Sequence, residues 1–264
     1  MTSTFIPHPA GRVHILCFGT GPELLIALHG FGDRARMFAV LEPALADRYR
    51  VVAVDWPFHG QTAWNKETFS KEDLLDIIRQ IVASYGKERF SLMGFSFGAR
   101  LAQAMLPELA GQLNKLYLLS PDGVKTKGMT TATRTPMWVR RTLMWALKEP
   151  DWFVKMVQWG RKIHAVPPLI HHFLTNNLTR PERFSRTFGC WLAMDSFYLG
   201  RRRIKAILQD TGLPTDVYIG LSDPMLRQAT LKKLYEGLPN VRLFWLEEGH
   251  RVVGEQLAEE MKKG

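Results

Sequence analysis

Short runs dominated by apolar residues, each ending at Gly, Asp, Ser or Glu, recur along the chain: 13–19 (VHILCFG), 23–30 (ELLIALHG), 50–55 (RVVAVD), 89–94 (RFSLMG), 115–120 (KLYLLS), 216–223 (DVYIGLSD) and 241–248 (VRLFWLEE). Runs of this length closed by turn-forming residues predict short strands. Between them the apolar positions recur with helical spacing, notably over 35–48, 71–85, 97–110, 224–237 and 250–262. Alternating strands and helices predict an α/β fold, a mostly parallel sheet with helices on both faces. The opening stretch TFIPHPAGRVHILCFG predicts instead an antiparallel hairpin at the sheet edge. From 122 to 210 the alternation stops and only helical patterns occur, so the pattern divides the chain into a core, 1–121 with 211–264, and an inserted helical segment, 122–210.

At 264 residues and 46% hydrophobic content, one sizeable core with an elaboration is expected rather than two independent domains. No apolar run approaches the roughly 18 residues of a membrane span, and MTSTFIPHPAGR lacks the basic start and apolar centre of a signal peptide, so the expected location is cytoplasmic. The only cysteines, Cys17 and Cys190, form no CxxC pair and are expected to be buried free thiols.

The candidate chemistry starts at LMGFSFGAR, 92–100. G-x-S-x-G alone is a weak signal because Gly and Ser are common. Here it follows an apolar strand and opens the helical pattern FGARLAQAML, the strand–turn–helix setting in which a sharp elbow exposes a serine and the helix start offers unpaired N–H groups to an anion. Ser96 is therefore a candidate nucleophile. A serine hydroxyl needs a base, and His250, directly after the last strand, is the candidate. An acid that orients the base is expected at another strand end, and Asp223 stands there, although it also suits the cap of a helix starting near Pro224. The chain order Ser96, Asp223, His250 matches that of a Ser-Asp-His hydrolase.

With these residues, LHGFGD (28–33) and DWPFHGQT (55–62), the chain resembles the α/β-hydrolase superfamily along nearly its whole length. Phe58 replaces the usual first glycine of that family's D-x-P-G-H-G turn. The resemblance implies a nucleophile elbow at Ser96, an oxyanion hole built from the backbone N–H groups of Phe31 and Phe97, and a helical cap over 122–210, while the turn chemistry around His29 and His59 points to loop-packing residues rather than bases. Asp122 is the alternative acid, at a position used by a minority of the superfamily. Relatives that cleave carbon–halogen bonds or epoxides use an aspartate nucleophile, so a serine points to acyl transfer.

Charge then singles out the insertion. It holds 16 of the 35 basic and 6 of the 25 acidic residues, so the formal charge of +10 lies wholly there. The bland reading is a solvated helical face; the functional one is attraction of an anionic acyl substrate. Trp138/Arg141, Trp145/Lys148, Trp152/Lys155 and Trp159/Lys162 repeat W-x-x-K/R every seven residues. The tryptophans are expected to pack the cap on the core; the alternatives are an acyl-binding wall, with Trp138 and Trp145 as substrate-binding residues, or contact with a membrane surface. No nucleic-acid motif accompanies the charge, and His171 and His172, being adjacent, do not form a zinc pair. The expected activity is hydrolysis of a carboxylic ester or related acyl compound by a serine hydrolase, with no cofactor and no metal. Carbon–carbon bond hydrolysis, thioester hydrolysis and metal-free peroxidation use the same triad, and a non-catalytic ligand-binding receptor is the rival of another class.

Overall fold

The structure is a computed structural model, which describes residues 1–121, 181–226 and 228–263, with Trp138, Lys155, Trp159 and Lys162 in between. Nine strands form one sheet: β1 (Thr2–His8), β2 (Gly11–Phe18), β3 (Glu23–Leu28), β4 (Tyr49–Val54), β5 (Ala63–Trp64), β6 (Phe90–Phe95), β7 (Leu113–Leu119), β8 (Thr215–Gly220) and β9 (Val241–Leu246). Their order is β1-β2-β4-β3-β6-β7-β8-β9, with β5 on β2. From β4 to β9 all pairs are parallel, whereas β1, β2 and β5 add antiparallel partners at one edge. This is the α/β-hydrolase fold.

The apolar runs lack alternation because both faces of the central strands are covered. On one face Leu25, Ala27, Val51, Ala53, Met93, Phe95 and Leu119 meet Phe38 and Leu41 of a 3₁₀ helix (Ala35–Leu41), Leu45 of α1 (Glu42–Leu45) and Leu257 at the C-terminal end. The period-2 alternates Leu24, Ile26, Leu28, Val52, Leu92, Leu116 and Leu118 are buried as well. Helix α2 (Lys71–Ser84) starts at a reciprocal cap, Ser70 with Asp73, and buries Leu74, Ile77, Ile78 and Ile81, one stripe at helical spacing. The pattern predicted over 35–48 and 97–110 is split at Pro43 and Pro107, which sit in the first turns of α1 and of α4 (Leu106–Leu109) behind α3 (Phe97–Ala104).

The chain divides into two compact units, one of Met1–Asn65, Ser70–Val124 and Ser196–Gly264, the other of Lys66–Phe69 and Lys125–Asp195. In the second, Thr68 Oγ1 donates to the Gly189 carbonyl at 3.0 Å from α5 (Pro181–Ala193), whose Phe188, Cys190 and Leu192 are buried. Helix α6 (Arg201–Thr211) falls in the first unit, although the sequence pattern gave it to the insertion. Two further α-helices among the described residues are α7 (Gln228–Tyr235) and α8 (Glu255–Lys262). Cys17 and Cys190 are free thiols; burial pushes that of Cys190 up.

Candidate functional site

The chain runs from β3 out to β4 and returns across β3 to β6, so the strand order reverses between β3 and β6. Ligands of open α/β sheets bind at the carboxyl ends of strands beside such a reversal. The residues there are His29 to Asp33 after β3 and Ser96 after β6.

Ser96 joins β6 to α3 with φ 51° and ψ −114°, outside the ordinary regions for an L-residue. Two glycines make the bend sterically possible. A Cβ on Gly98 would stand 2.0 Å from the Leu28 carbonyl oxygen, and one on Gly94 would stand 2.5 Å from Ala99 Cα. The amide of Ser96 donates to the Leu119 carbonyl at 2.9 Å, anchoring the elbow to β7.

His250 lies four residues after β9 and bridges two chains of contact: its Nε2 is 2.8 Å from Ser96 Oγ, and its Nδ1 is 2.7 Å from Asp223 Oδ2. A carboxylate only accepts, so Nδ1 carries the proton, and Nε2 is left to accept from the serine hydroxyl. The Asp223 side chain is fully buried and that of His250 is 20% exposed. The other carboxylate oxygen of Asp223, Oδ1, accepts from the amides of Met225 and Leu226 at 2.8 and 3.2 Å. One oxygen of Asp223 thus holds a turn and the other holds the histidine. Helix α7 begins only at Gln228 and α8 only at Glu255, so both residues sit in loops where the sequence pattern predicted helix starts.

The loop after β3 abuts the start of α3 through Gly98, which lies against the Leu28 and His29 carbonyls. Phe97 is the first residue of α3, where an N–H has no intrahelical acceptor. Phe31 lies on the facing loop, 40% exposed. His59 fixes this loop: its Nε2 accepts from the Gly32 amide at 3.0 Å while its Nδ1 donates to the Pro57 carbonyl at 3.0 Å. His29 is buried and donates from Nδ1 to the Gly30 carbonyl at 2.7 Å. Phe58, in the turn below, takes φ 68°, so it keeps left-handed backbone without the glycine that adopts it freely. Arg251 pairs with Asp33 at 3.2 Å, linking the segments that carry His250 and Phe31, a half-exposed contact worth at most about 1 kcal/mol.

One neighbour of Ser96 carried no sequence signal. Ser120 follows Leu119, the register partner of Phe95, has φ 41°, and buries a hydroxyl with no partner among the described residues. Trp138 is 71% exposed and Trp159 63%. Trp145, Asp122, His171 and His172 lie outside the described residues. A cleft of about 130 Å³ opens elsewhere, at the amino ends of β7 to β9, between Lys115, Tyr117, Asp216 and Arg242. Its charges are mutually paired: Asp216 meets Arg242 at 2.8 and 2.9 Å and Lys115 at 2.7 Å. Among the described residues no group of His, Cys, Asp and Glu could hold a metal, and no helix is long and apolar enough to cross a membrane.

Comparison with known proteins supplies relatives. The family described as alpha/beta hydrolase fold matches residues 23–172, more than half of the chain. A pimeloyl-[acyl-carrier protein] methyl ester esterase of Aeromonas hydrophila is 36% identical over 103 residues, 39% of this chain and 39% of the esterase. A 2-hydroxy-6-oxononadienedioate/2-hydroxy-6-oxononatrienedioate hydrolase of Klebsiella pneumoniae is 30% identical over 130 residues, 47% of this chain and 44% of that hydrolase. The chain thus spans less than half the length of these curated relatives. Among solved structures, a thioesterase domain from the curacin biosynthetic pathway superposes with a TM-score of 0.69 at 18% identity, covering 99% of both chains, a likeness of fold.

Proposed function

We propose that this chain, which belongs to the alpha/beta hydrolase fold family, is a serine hydrolase that cleaves a carboxylic ester or related acyl compound through an acyl-enzyme. The observation that carries the reading is His250, set between Ser96 Oγ at 2.8 Å and Asp223 Oδ2 at 2.7 Å. In this mechanism Ser96 Oγ attacks the acyl carbon as its proton passes to His250 Nε2. Asp223 holds the imidazole in the tautomer required and stabilises the imidazolium. The oxyanion is held by the amides of Phe31 and Phe97, each donor worth about 3 kcal/mol by analogy with other acyl-transfer sites. The proton on His250 then goes to the leaving oxygen, the acyl group stays on Ser96, and water repeats the sequence to release the acid. The esterase from Aeromonas, matched over 39% of this chain, is consistent with an ester as substrate. The excess of basic residues in 122–210 supports an anionic acyl substrate.

The test is a fluorophosphonate followed by peptide mapping, with a panel of p-nitrophenyl esters of graded length, a thioester and a vinylogous diketone. The label is expected on Ser96, with most of it lost in His250→Ala, and at least one substrate of the panel should turn over in the native protein but not in Ser96→Ala. Folded protein that takes no label at Ser96 would remove the serine-hydrolase reading; of the panel, the substrate turned over fastest fixes the acyl class.

A further inference from the structure

The edge hairpin carries a second serine, histidine and aspartate in the same hydrogen-bonded order. Ser3 Oγ is 2.7 Å from His14 Nε2, and His14 Nδ1 is 2.7 Å from Asp55 Oδ2. The distances match those at Ser96, yet no residue is shared. From these contacts we infer that Ser3 is an activated hydroxyl and a site of covalent acylation, separate from the site at Ser96.

The argument begins with the carboxylate. Asp55 is 2% exposed, at the carboxyl end of β4. Its Oδ1 accepts from the Ala35 amide at 2.6 Å and has His29 Nε2 at 3.7 Å; its Oδ2 accepts from the Gln61 amide at 3.0 Å as well as from His14. Fixed backbone donors thus hold the carboxylate in one orientation. His14 is 4% exposed and lies in β2, where its own amide is bound by Thr62 Oγ1 at 2.9 Å and its carbonyl by the Asp55 amide at 3.0 Å. Its ring therefore has little freedom, and a carboxylate on Nδ1 fixes the tautomer that leaves Nε2 as an acceptor. Among the described residues, the hydroxyl bonded to that nitrogen belongs to Ser3, an exposed residue of β1 paired in register with Leu16. A nucleophile within hydrogen-bond reach of a base that a third group orients is the general signature of an activated serine.

What differs from Ser96 is the surroundings. Ser3 lies inside a regular antiparallel ladder, with neither a bend nor a helix start behind it. The structure therefore assigns it a stoichiometric reaction with an already activated acyl donor. Oγ attacks the acyl carbon, the bond from that carbon to the leaving oxygen breaks, and the Oγ proton moves to Nε2 and from there to the leaving group. The product is an O-acyl serine plus the free alcohol or phenol.

The test uses the full chain with Ser96→Ala, so that its outcome is independent of the function proposed for Ser96. With p-nitrophenyl acetate, one equivalent of p-nitrophenolate is expected without turnover, and peptide mapping should find the acetyl group on Ser3. General-base assistance accounts for roughly 10²–10⁴-fold, so Ser3 should acylate at least about a hundredfold faster than Thr2 and Thr4, exposed on the same strand. The burst should vanish in Ser96→Ala/Ser3→Ala and fall by a similar factor in Ser96→Ala/His14→Gln. Because His14 is buried and its replacement can disturb folding, Ser3→Cys gives an independent measure: at pH 6.5 it should alkylate with iodoacetamide at least tenfold faster than Thr4→Cys. Acetylation of Ser3 no faster than of Thr2 and Thr4, or equal alkylation of the two cysteines, would overturn the inference.

Discussion

Replacing Ser96 by alanine and by glycine separates the chemistry of the residue from the strain of its backbone. Both variants lose the hydroxyl and its 2.8 Å contact with His250, so that loss cancels in the difference between them. What remains is the cost of holding a Cβ at φ 51°, ψ −114°, of the order of 1–3 kcal/mol for a residue outside the allowed regions. Glycine is relieved of it, but its freer unfolded chain gives back about 0.4–1 kcal/mol, and burial of the Cβ of this partly buried residue is worth less than the roughly 0.8 kcal/mol of a methylene. The Gly variant should therefore be the more stable by about 1 kcal/mol. With a urea slope of about 3 kcal/mol/M, its midpoint should lie about 0.3 M above that of the Ala variant. A control substitution, Ala102→Gly in the buried middle of α3, should move the midpoint the other way, since glycine there costs about 1 kcal/mol in helix propensity alone. If the Gly variant at 96 proves equal to or less stable than the Ala variant at unchanged slope, the elbow stores no strain and the steric account of the bend is wrong.

Other expectations rest on different residues. Gly98→Ala puts a methyl 2.0 Å from the Leu28 carbonyl, so urea melts should show a loss of at least 1–3 kcal/mol and fluorophosphonate labelling of Ser96 should slow as α3 is pushed from β3. Asp223→Asn should lower kcat by about 10⁴ through loss of the tautomer, whereas Asp122→Asn should leave it near native; the reverse pattern in steady-state kinetics would move the acid to Asp122. Burial pushes the Asp216 carboxyl up, but hydrogen bonds from Arg242 and Lys115 outweigh burial and hold it below its ordinary value. A lowered folded-state value stabilises above the unfolded one, about 3.9, and that stability is lost as pH falls through the folded value; native protein should thus exceed Asp216→Asn by about 3 kcal/mol at pH 7, the lower end for breaking a buried pair because Arg242 is half-exposed, with the gap in melts closing in acid. If the basic segment 122–210 steers anionic substrate, kcat/KM for a carboxylate-bearing ester should fall between 0.1 and 1 M salt, as the Debye length shrinks from about 10 to 3 Å, while a neutral isostere changes little.

The sheet was legible because a parallel sheet covered on both faces writes itself as uninterrupted apolar runs, and seven such runs overlie β2, β3, β4, β6, β7, β8 and β9. The hairpin of β1 and β2 was legible from its turn, whereas β5, two residues long, is too short to leave a period. Helix limits were the weakest reading. Apolar spacing continues through 224–227 and 250–254, but Asp223 binds the Met225 and Leu226 amides in a turn, and His250 must stay in a loop to reach Ser96. The positions of Ser96, Asp223 and His250 were legible because strand ends are where such a sheet gathers polar groups. The relay through His14 was not: Ser3 and Asp55 lie far apart in sequence, and only the pairing of β1 with β2 and of β2 with β4 brings them to one imidazole.

The 154 positions between Ser96 and His250 are also a delay in time. At about 5–20 residues per second, a ribosome takes roughly 8–30 s to travel from the serine to the histidine. Until residues 215–220 are made, β7 has no β8 beside it and its outer hydrogen-bonding edge is open, and the acid and base proposed for Ser96 follow only at 223 and 250. On the proposed mechanism the newborn chain is thus chemically silent at Ser96 while its sheet is still incomplete and most exposed to wrong partners. Docking of β8 and β9 closes the edge of β7 and brings Asp223 and His250 to Ser96 in the same event, so if the proposed mechanism holds, the return of Ser96 reactivity in a refolding experiment marks the moment at which the last strands seat.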